Sequence, residues 1–260
     1  MSDKPLGVEL TNASIRYLDN ELSTLQGLNL SVAAAQWTVL LGRSGCGKTT
    51  ILRYLAGLLS HNIEWQGGLH TSDGEALEGR IAYMAQQDLL LPWLSVIDNV
   101  FLSQRFSGKG WRGMDNREES SEENQQRAMS LLESVGLADY AHAMPQQLSG
   151  GMRQRVALAR TLMQDKPIVL MDEPFSALDA VTRHKLQTLA AKLLEDKTVV
   201  LITHDPQEAV RLAHHLYVLQ GTPTSAQALQ VPTTLPPRTI DGQCASIQQQ
   251  ILEQLEQDYE

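Results

Sequence analysis

Three glycines, a lysine and a hydroxyl stand in fixed register in the run Gly42-Arg43-Ser44-Gly45-Cys46-Gly47-Lys48-Thr49. The run fits G-x-x-x-x-G-K-[ST], a pattern whose chemistry is phosphate binding. Glycine lets the backbone bend until successive N–H groups point at one anion. Lys48 adds a full positive charge, and Thr49 offers a hydroxyl suited to Mg²⁺. Gly42 through Thr49, with Thr50 next in line, are therefore the candidate ligands of a nucleoside triphosphate.

Such a loop works only between a strand and a helix. Trp37-Thr38-Val39-Leu40-Leu41 reads as a buried strand, and Thr49 to Leu59 places Ile51, Leu52, Leu55, Leu58 and Leu59 on one helical face. A second constellation is Ile168-Val169-Leu170-Met171-Asp172-Glu173, an apolar strand closed by two carboxylates. Parallel α/β sheets gather ligands at the carboxyl ends of their strands. Asp172 is thus placed to hold Mg²⁺, and Glu173 to orient or deprotonate an attacking water. A third is Leu148-Ser149-Gly150-Gly151-Met152-Arg153-Gln154, where a serine and two glycines open a helix with no acid in its first turn. By itself this is an N-cap serine or a second anion-binding helix terminus.

The rest of the chain supplies the frame. Its 260 residues are 42% hydrophobic, enough for one large α/β domain, and its net charge of -9 argues against a general nucleic-acid coat. The only cysteines are Cys46 and Cys244, and a disulfide at Cys46 would obstruct the phosphate loop. That usage, an N-terminus without a basic start and apolar run, and the lack of a membrane-spanning stretch predict a cytoplasmic chain whose membrane contact goes through a partner. Val8 to Val32 reads as strands with turns at Asp19-Asn20 and Gln26-Gly27, and Ile63 to Met84 as further strands and loops. Ser103 to Gln126 reads as an exposed loop or short solvated helix. Helical patterns cover Gln125 to Val135, Met152 to Met163 and Val181 to Leu194, with a buried strand at Thr198 to Ile202. Alternating strands and helices imply a largely parallel sheet. Thr222 to Arg238 reads as a linker before a short amphipathic helix marked by Ile247, Ile251 and Leu255.

Taken together, these residues resemble the ATP-binding-cassette (ABC) ATPase family over roughly Val8 to Leu219, with Leu148 to Gln154 similar to its signature motif. The resemblance implies an α/β P-loop fold with a mixed, largely parallel core, an antiparallel β subdomain and a helical signature subdomain. The cassette is expected at 1–221, its helical subdomain at about 89–165, and a linker with a short helix at 222–260. Family cassettes pair head to tail. The resemblance therefore implies a homodimer in which Ser149, Gly150 and Gly151 reach the γ-phosphate bound by the partner. Tyr17 resembles the aromatic that stacks on adenine. Gln86 resembles the glutamine that senses Mg²⁺ and the transport partner; Gln87 is the neighbouring alternative, and the spacing to Leu90-Leu91-Pro92-Trp93 favours Gln86. Asp179, in Ser176-Ala177-Leu178-Asp179, resembles the acid that bridges subunits, and His204 the switch histidine on the γ-phosphate. The expected roles are then catalytic for Glu173, His204 and Gln86, and metal-binding for Thr49, Gln86 and Asp172, with ATP and Mg²⁺ bound.

The apolar run Asp88 to Val100 resembles the groove that takes a coupling helix from a membrane permease. Its Leu-Leu-Pro-Trp core resembles importers of the nitrate, taurine and alkanesulfonate group, which also supplies pyrimidine precursors of thiamine. Gly42-Arg43-Ser44 and Tyr83-Met84-Ala85-Gln86-Gln87 look closest to the hydroxymethylpyrimidine type. The implied partners are a permease and an external solute-binding protein, with the cassette peripheral on the cytoplasmic face of the cell membrane. The rival classes are a nucleic-acid or chromatin ATPase, which would carry long coiled-coil insertions, and a nucleotide kinase, which would leave Leu148 to Gln154 unexplained.

Overall fold

Uninterrupted apolar runs become the centre of a sheet, and alternating ones become its antiparallel neighbour. The computed structural model describes residues 5–19, 22–59, 62–106 and 117–258. The strands are β1 (Val8–Tyr17), β2 (Leu25–Val32), β3 (Trp37–Gly42), β4 (Ile63–Thr71), β5 (Ile81–Met84), β6 (Ile168–Asp172), β7 (Thr198–Thr203), β8 (His215–Gln220) and β9 (Ser225–Leu229). The helices are α1 (Lys48–Leu55), α2 (Val96–Phe106), α3 (Arg117–Ser134), α4 (Gly150–Met163), α5 (Ala180–Leu193), α6 (Pro206–Leu212) and α7 (Gly242–Gln257). Two units result. One takes Met1–Tyr83, Lys166–Glu173 and Ala190–Glu260; the other takes Met84–Asp165 and Pro174–Leu189.

The first unit holds two sheets. One has the order β2-β1-β4, the other β5-β6-β7-β3-β8-β9. In the larger sheet β3 runs parallel to both β7 and β8, β6 runs parallel to β7, and β9 returns antiparallel along β8. Every residue of β3, β6 and β7 is buried, which is why those three read as unbroken apolar runs. In the smaller sheet the inward residues of β1 are Val8, Leu10, Ala13 and Ile15. Their parity changes at Thr11-Asn12, where the register shifts and Asn12 takes a left-handed φ of 49°. An extra residue at a bulge keeps the apolar face inward where simple alternation would turn it out. Gly67 of β4 lies against the bulge with φ of 114°, and a Cβ there would stand 2.6 Å from the Asn12 carbonyl oxygen.

Several sequence expectations change. Gln26-Gly27 is not a turn. It lies inside β2, where Gly27 (φ 62°) bulges opposite the β1 irregularity. The helix expected over 49–59 stops at Leu55, because Gly57 takes φ of 71°. Its N–H returns to the Tyr54 carbonyl at 3.0 Å and that of Leu58 to Arg53 at 2.8 Å, a glycine-terminated Schellman end. Thr222 to Arg238 is not a plain linker, since it contains β9, the edge strand of the main sheet. Backbone pairing along β8 is what makes Ser225–Leu229 a strand, and no alternation in its sequence announces it. Of Ser103 to Gln126, the ends belong to α2 and α3, and residues 107–116 lie outside the described set, as do Asn20 and residues 1–4.

The second unit is helical, built from α2, α3, α4 and the first ten residues of α5, Ala180 to Leu189. The expected helical subdomain of about 89–165 falls inside it, and the unit also takes in Pro174–Leu189. Val156, Ala157, Ala159 and Met163 of α4, Val100 of α2, and Ala128 and Leu132 of α3 are all buried, giving this unit its own apolar interior. Both cysteines, Cys46 and Cys244, are free and buried.

Candidate active site

β6, β7 and β3 are adjacent and parallel, so their carboxyl ends lie side by side. The phosphate loop follows β3, Asp172 closes β6 with Glu173 behind it, and His204 follows β7. Three segments far apart in sequence thus meet at one edge, where open α/β sheets bind ligands.

The loop is held in a well-supported shape. Gly45 and Gly47 have left-handed φ of 84° and 93°, and Gly47 is the N-cap of α1. Lys48 is almost wholly buried (6% exposed), and its ammonium donates to the carbonyls of Gly42 (2.7 Å) and Arg43 (2.8 Å). The charge is therefore fixed at the centre of the loop before any anion arrives. Burial pushes the Cys46 thiol up against the opposing pull of Lys48, so it is kept protonated and is a poor nucleophile. Ser44 and Gly45 are exposed at the tip. Arg43 directs its guanidinium elsewhere, with Nε 3.2 Å from Asp258 Oδ2.

Thr49 Oγ1 donates to Asp172 Oδ2 at 2.8 Å, and Asp172 is 2% exposed. Burial raises the Asp172 carboxyl, and Glu173 pushes the same way, while the Thr49 hydrogen bond and Lys48 pull it down. A hydroxyl and a buried carboxylate are hard oxygen donors. They suit Mg²⁺, which takes one or two protein oxygens and keeps waters and phosphate oxygens for the rest. Among the described residues no cluster of three or more His, Cys, Asp or Glu could hold a metal. The two-donor arrangement is the one that fits.

Glu173 stands at φ of 50°, a left-handed conformation that costs a non-glycine residue about 1–2 kcal/mol. Its N–H still bonds the Ile202 carbonyl at 3.0 Å. The turn brings Oε2 within 3.0 Å of His204 Nδ1, with Glu173 mostly covered and His204 60% exposed. Strain of this kind persists where surrounding structure enforces it. Tyr17, half-buried at the end of β1, places its hydroxyl 3.2 Å from Thr50 Oγ1 and so sits over the first turn of α1.

The remaining expected residues belong to the second unit. Ser149 caps α4, its side chain accepting the Met152 N–H at 3.3 Å, with Gly150 exposed beside it. A Cβ on Gly151 would come within 3.3 Å of Leu178 Cδ2 and 3.4 Å of the Ala177 carbonyl, so the cap lies against the Ser176–Asp179 loop. Asp179 accepts the Thr182 N–H at 3.0 Å, and this bond holds its carboxyl below the ordinary carboxylate range. Gln86 is exposed in a bend just after β5.

The sequence reading missed what organises that bend. Arg153 Nε meets Asp88 Oδ2 at 2.9 Å. Arg160 donates to the carbonyls of Asp88 and Leu89. Two arginines seven apart share one face of α4, and that spacing was the available signal. Fully buried Asn99 accepts the Leu91 N–H at 2.8 Å and donates to the carbonyls of Leu91, Leu94 and Ser95. It thereby fixes the loop that presents Trp93, which is 69% exposed.

The ABC transporter family profile matches residues 25–176, which leaves Tyr17, Asp179 and His204 outside the matched span. An uncharacterized ABC transporter ATP-binding protein of Haemophilus influenzae is 44% identical over 91% of this chain and 94% of its own length. An aliphatic sulfonates import ATP-binding protein of Mesorhizobium japonicum is 40% identical over 89% of this chain and 82% of its own. One from Corynebacterium glutamicum is 39% identical, over 94% of each. A solved dimeric ATP-binding cassette in a post-hydrolysis state, bound to ADP and Pi, superposes with a TM-score of 0.74 at 30% identity. It covers 87% of this chain and all of its own.

Proposed function

Since the chain belongs to the ABC transporter family of ATP-binding cassettes and is an ATPase, we propose that it powers an importer of a small solute. The observation that carries the reading is one constellation: the fixed ammonium of Lys48, the Thr49–Asp172 pair, and Glu173 held against His204. In it, loop amides and Lys48 bind the β- and γ-phosphates. Thr49 and Asp172 would hold Mg²⁺, which when bound would supply charge neutralisation, and Gln86 is the residue that would sense it. Glu173 orients the attacking water and takes its proton, while His204 steadies Glu173 and the γ-phosphate. Tyr17 stacks on the adenine.

A second cassette completes the site. Ser149, Gly150 and Gly151 form an anion-binding helix start free of acids, suited to the γ-phosphate of a partner copy, with Asp179 bridging beside it. The dimeric cassette bound to ADP and Pi supports this pairing. ATP then joins two faces, and hydrolysis releases them.

Leu89 and Trp93 are exposed on the second unit, and large apolar side chains left in the open suit contact with a permease helix. No described helix is long and apolar enough to cross a membrane. In this reading the cassette is held at the cytoplasmic face of the membrane by that permease. Relatives named for aliphatic sulfonates favour the sulfonate arm of the nitrate, taurine and sulfonate group. The residues around Gly42–Ser44 and Tyr83–Gln87 favour hydroxymethylpyrimidine. The transport names and the acidic balance weigh against action on nucleic acid. The test is co-purification from solubilised membranes, then ATPase assays with the recovered permease and binding protein. Stimulation by an alkanesulfonate or by hydroxymethylpyrimidine identifies the cargo. Copurification of nucleic acid, with no permease and no stimulation, overturns the importer reading.

A further inference from the structure

The C-terminal tail carries no sequence motif, yet its far end is tied to the phosphate loop. Asp258 is the C-cap of α7, with a carboxylate only 8% exposed. A carboxylate there opposes the negative end of the helix dipole, so the position needs a cation to compensate. Arg43, the second residue of the phosphate loop, supplies it. Its Nε lies 3.2 Å from Asp258 Oδ2, and its Nη1 donates to the Asp258 carbonyl at 2.9 Å. One guanidinium thus serves both the acid and the helix end. The other carboxylate oxygen accepts the Gly221 N–H at 2.7 Å, and Gln220 donates to the Gln254 carbonyl at 2.8 Å.

The near end of the same helix is equally anchored. Arg238 is buried and donates to the carbonyls of Val210 (2.9 Å), Ala213 (2.6 Å) and Pro232 (2.9 Å), fastening the segment before α7 to the end of α6. Asp241 caps α7 by accepting the Cys244 N–H at 2.9 Å, and Cys244 and Ile251 are fully buried. The turn between β8 and β9 supports the loop independently, since Thr224, 2% exposed, donates its hydroxyl to the Cys46 carbonyl. The loop is therefore propped at Arg43 by a helix fixed at both ends and at Cys46 by a buried hydroxyl.

We propose that α7 is a strut for the phosphate loop, with Asp258 its positioning residue acting through Arg43. The inference rests on the reading of Gly42 to Thr49 as the nucleotide site. Holding the Arg43 side chain outward fixes the start of the loop, so its N–H groups need not be ordered when nucleotide binds. The gain is in affinity, and the chemical step at Glu173 is untouched.

The test uses the full chain and fluorescent ADP and ATP analogues. Asp258→Asn should weaken binding about three- to tenfold, as expected for loss of one partly buried charged contact, and leave kcat within about twofold. Arg43→Gln should weaken it similarly, and the double variant should be no worse than the poorer single one. Asp258→Glu should recover part of the loss, and the reversed pair Arg43→Asp with Asp258→Arg more than either reversal alone. Melting temperatures with no nucleotide present separate loop positioning from loss of fold. If Asp258→Asn unfolds, recovery of affinity by the reversed pair decides. Lys48→Ala is the control for the site itself. If it binds like the parent, the loop assignment fails. If it loses binding while Asp258→Asn does not, or if the single losses add, only the strut is refuted. Tighter binding by Asp258→Asn also overturns it, because the tail would then be a brake.

Discussion

Gly42 is both the last residue of β3 and the first of the phosphate loop, and the structure leaves it no room to grow. A Cβ there would lie 2.6 Å from the Leu219 carbonyl oxygen and 2.8 Å from Cys46 Sγ. The thiol can rotate, but the carbonyl belongs to β8, an inner strand paired with β3 on one side and β9 on the other. Gly42→Ala must therefore push the strand end away by about 0.8 Å to reach ordinary contact. Overpacking of this kind costs about 1–3 kcal/mol, which for a chain this size lowers the melting temperature by roughly 2–6 °C. The larger effect is on binding. A displacement of about 0.8 Å carries an N–H···O phosphate bond beyond its useful range. Loss of one charge-assisted bond is worth about 1.5–3 kcal/mol, so the nucleotide dissociation constant should rise about 10- to 100-fold. Gly45→Ala is the comparison. Its φ of 84° is costly for alanine, but nothing lies within 4 Å of the new methyl. It should destabilise by about 1–2 kcal/mol through backbone strain alone. Thermal melts and fluorescent-nucleotide titrations of both variants decide. If Gly42→Ala binds within twofold of the parent, the loop is not held by β8 and the packing argument is wrong.

Glu173→Gln should keep nucleotide affinity and lower hydrolysis by about 10²–10⁴-fold, the usual contribution of a general base. Light scattering should then find a dimer accumulating with ATP, and normal turnover would remove Glu173 from the chemistry. Lys48→Ala deletes the buried ammonium and should weaken nucleotide binding at least tenfold in a direct titration. His214 predicts a pH effect. Its Nδ1 accepts the Trp37 N–H at 3.1 Å, so it is neutral when folded, and burial followed by Arg238 holds its pKa below the ordinary 6.5. The unfolded chain therefore takes up the proton first as pH falls. The contribution is fully present above about pH 6.5 and is lost below it. Melting curves should show His214→Asn, which keeps an acceptor, flattening the fall in stability from pH 7 to 5.5, and an unchanged slope would refute the assignment.

Elements governed by local pattern were legible in the residues. The strands β3, β6 and β7 are buried on both faces and so read as solid apolar runs, and α4 and α5 differ from expectation by at most two residues at any end. Elements governed by distant pairing were not. β9 is a strand because β8 offers it an edge, and Gly27 is a bulge because β1 carries an irregularity opposite. Neither partner is visible from the residues concerned. The Schellman end of α1 was within reach, because a glycine two residues past an apolar helix is a stop signal, but the apolar pair Leu58-Leu59 extended the pattern past it.

The candidate site divides along the same physical line. Residues that touch phosphate must be of particular types at short spacing, since backbone amides, an ammonium and a hydroxyl must converge on one small anion. The phosphate loop and the Asp172-Glu173 pair therefore announce themselves. Residues that position them are under a looser constraint. Arg153 must reach Asp88, and Asp258 must reach Arg43, but any chain path that delivers a charge to that point will serve. Their sequence separations of 65 and 215 residues follow from the fold. For that reason Arg43 looked like a ligand by its place in the motif, while the structure gives its side chain to the tail and leaves its backbone to the loop. Motif position marks which backbone is the candidate to meet a nucleotide, and only the folded neighbours reveal what each side chain is free to do.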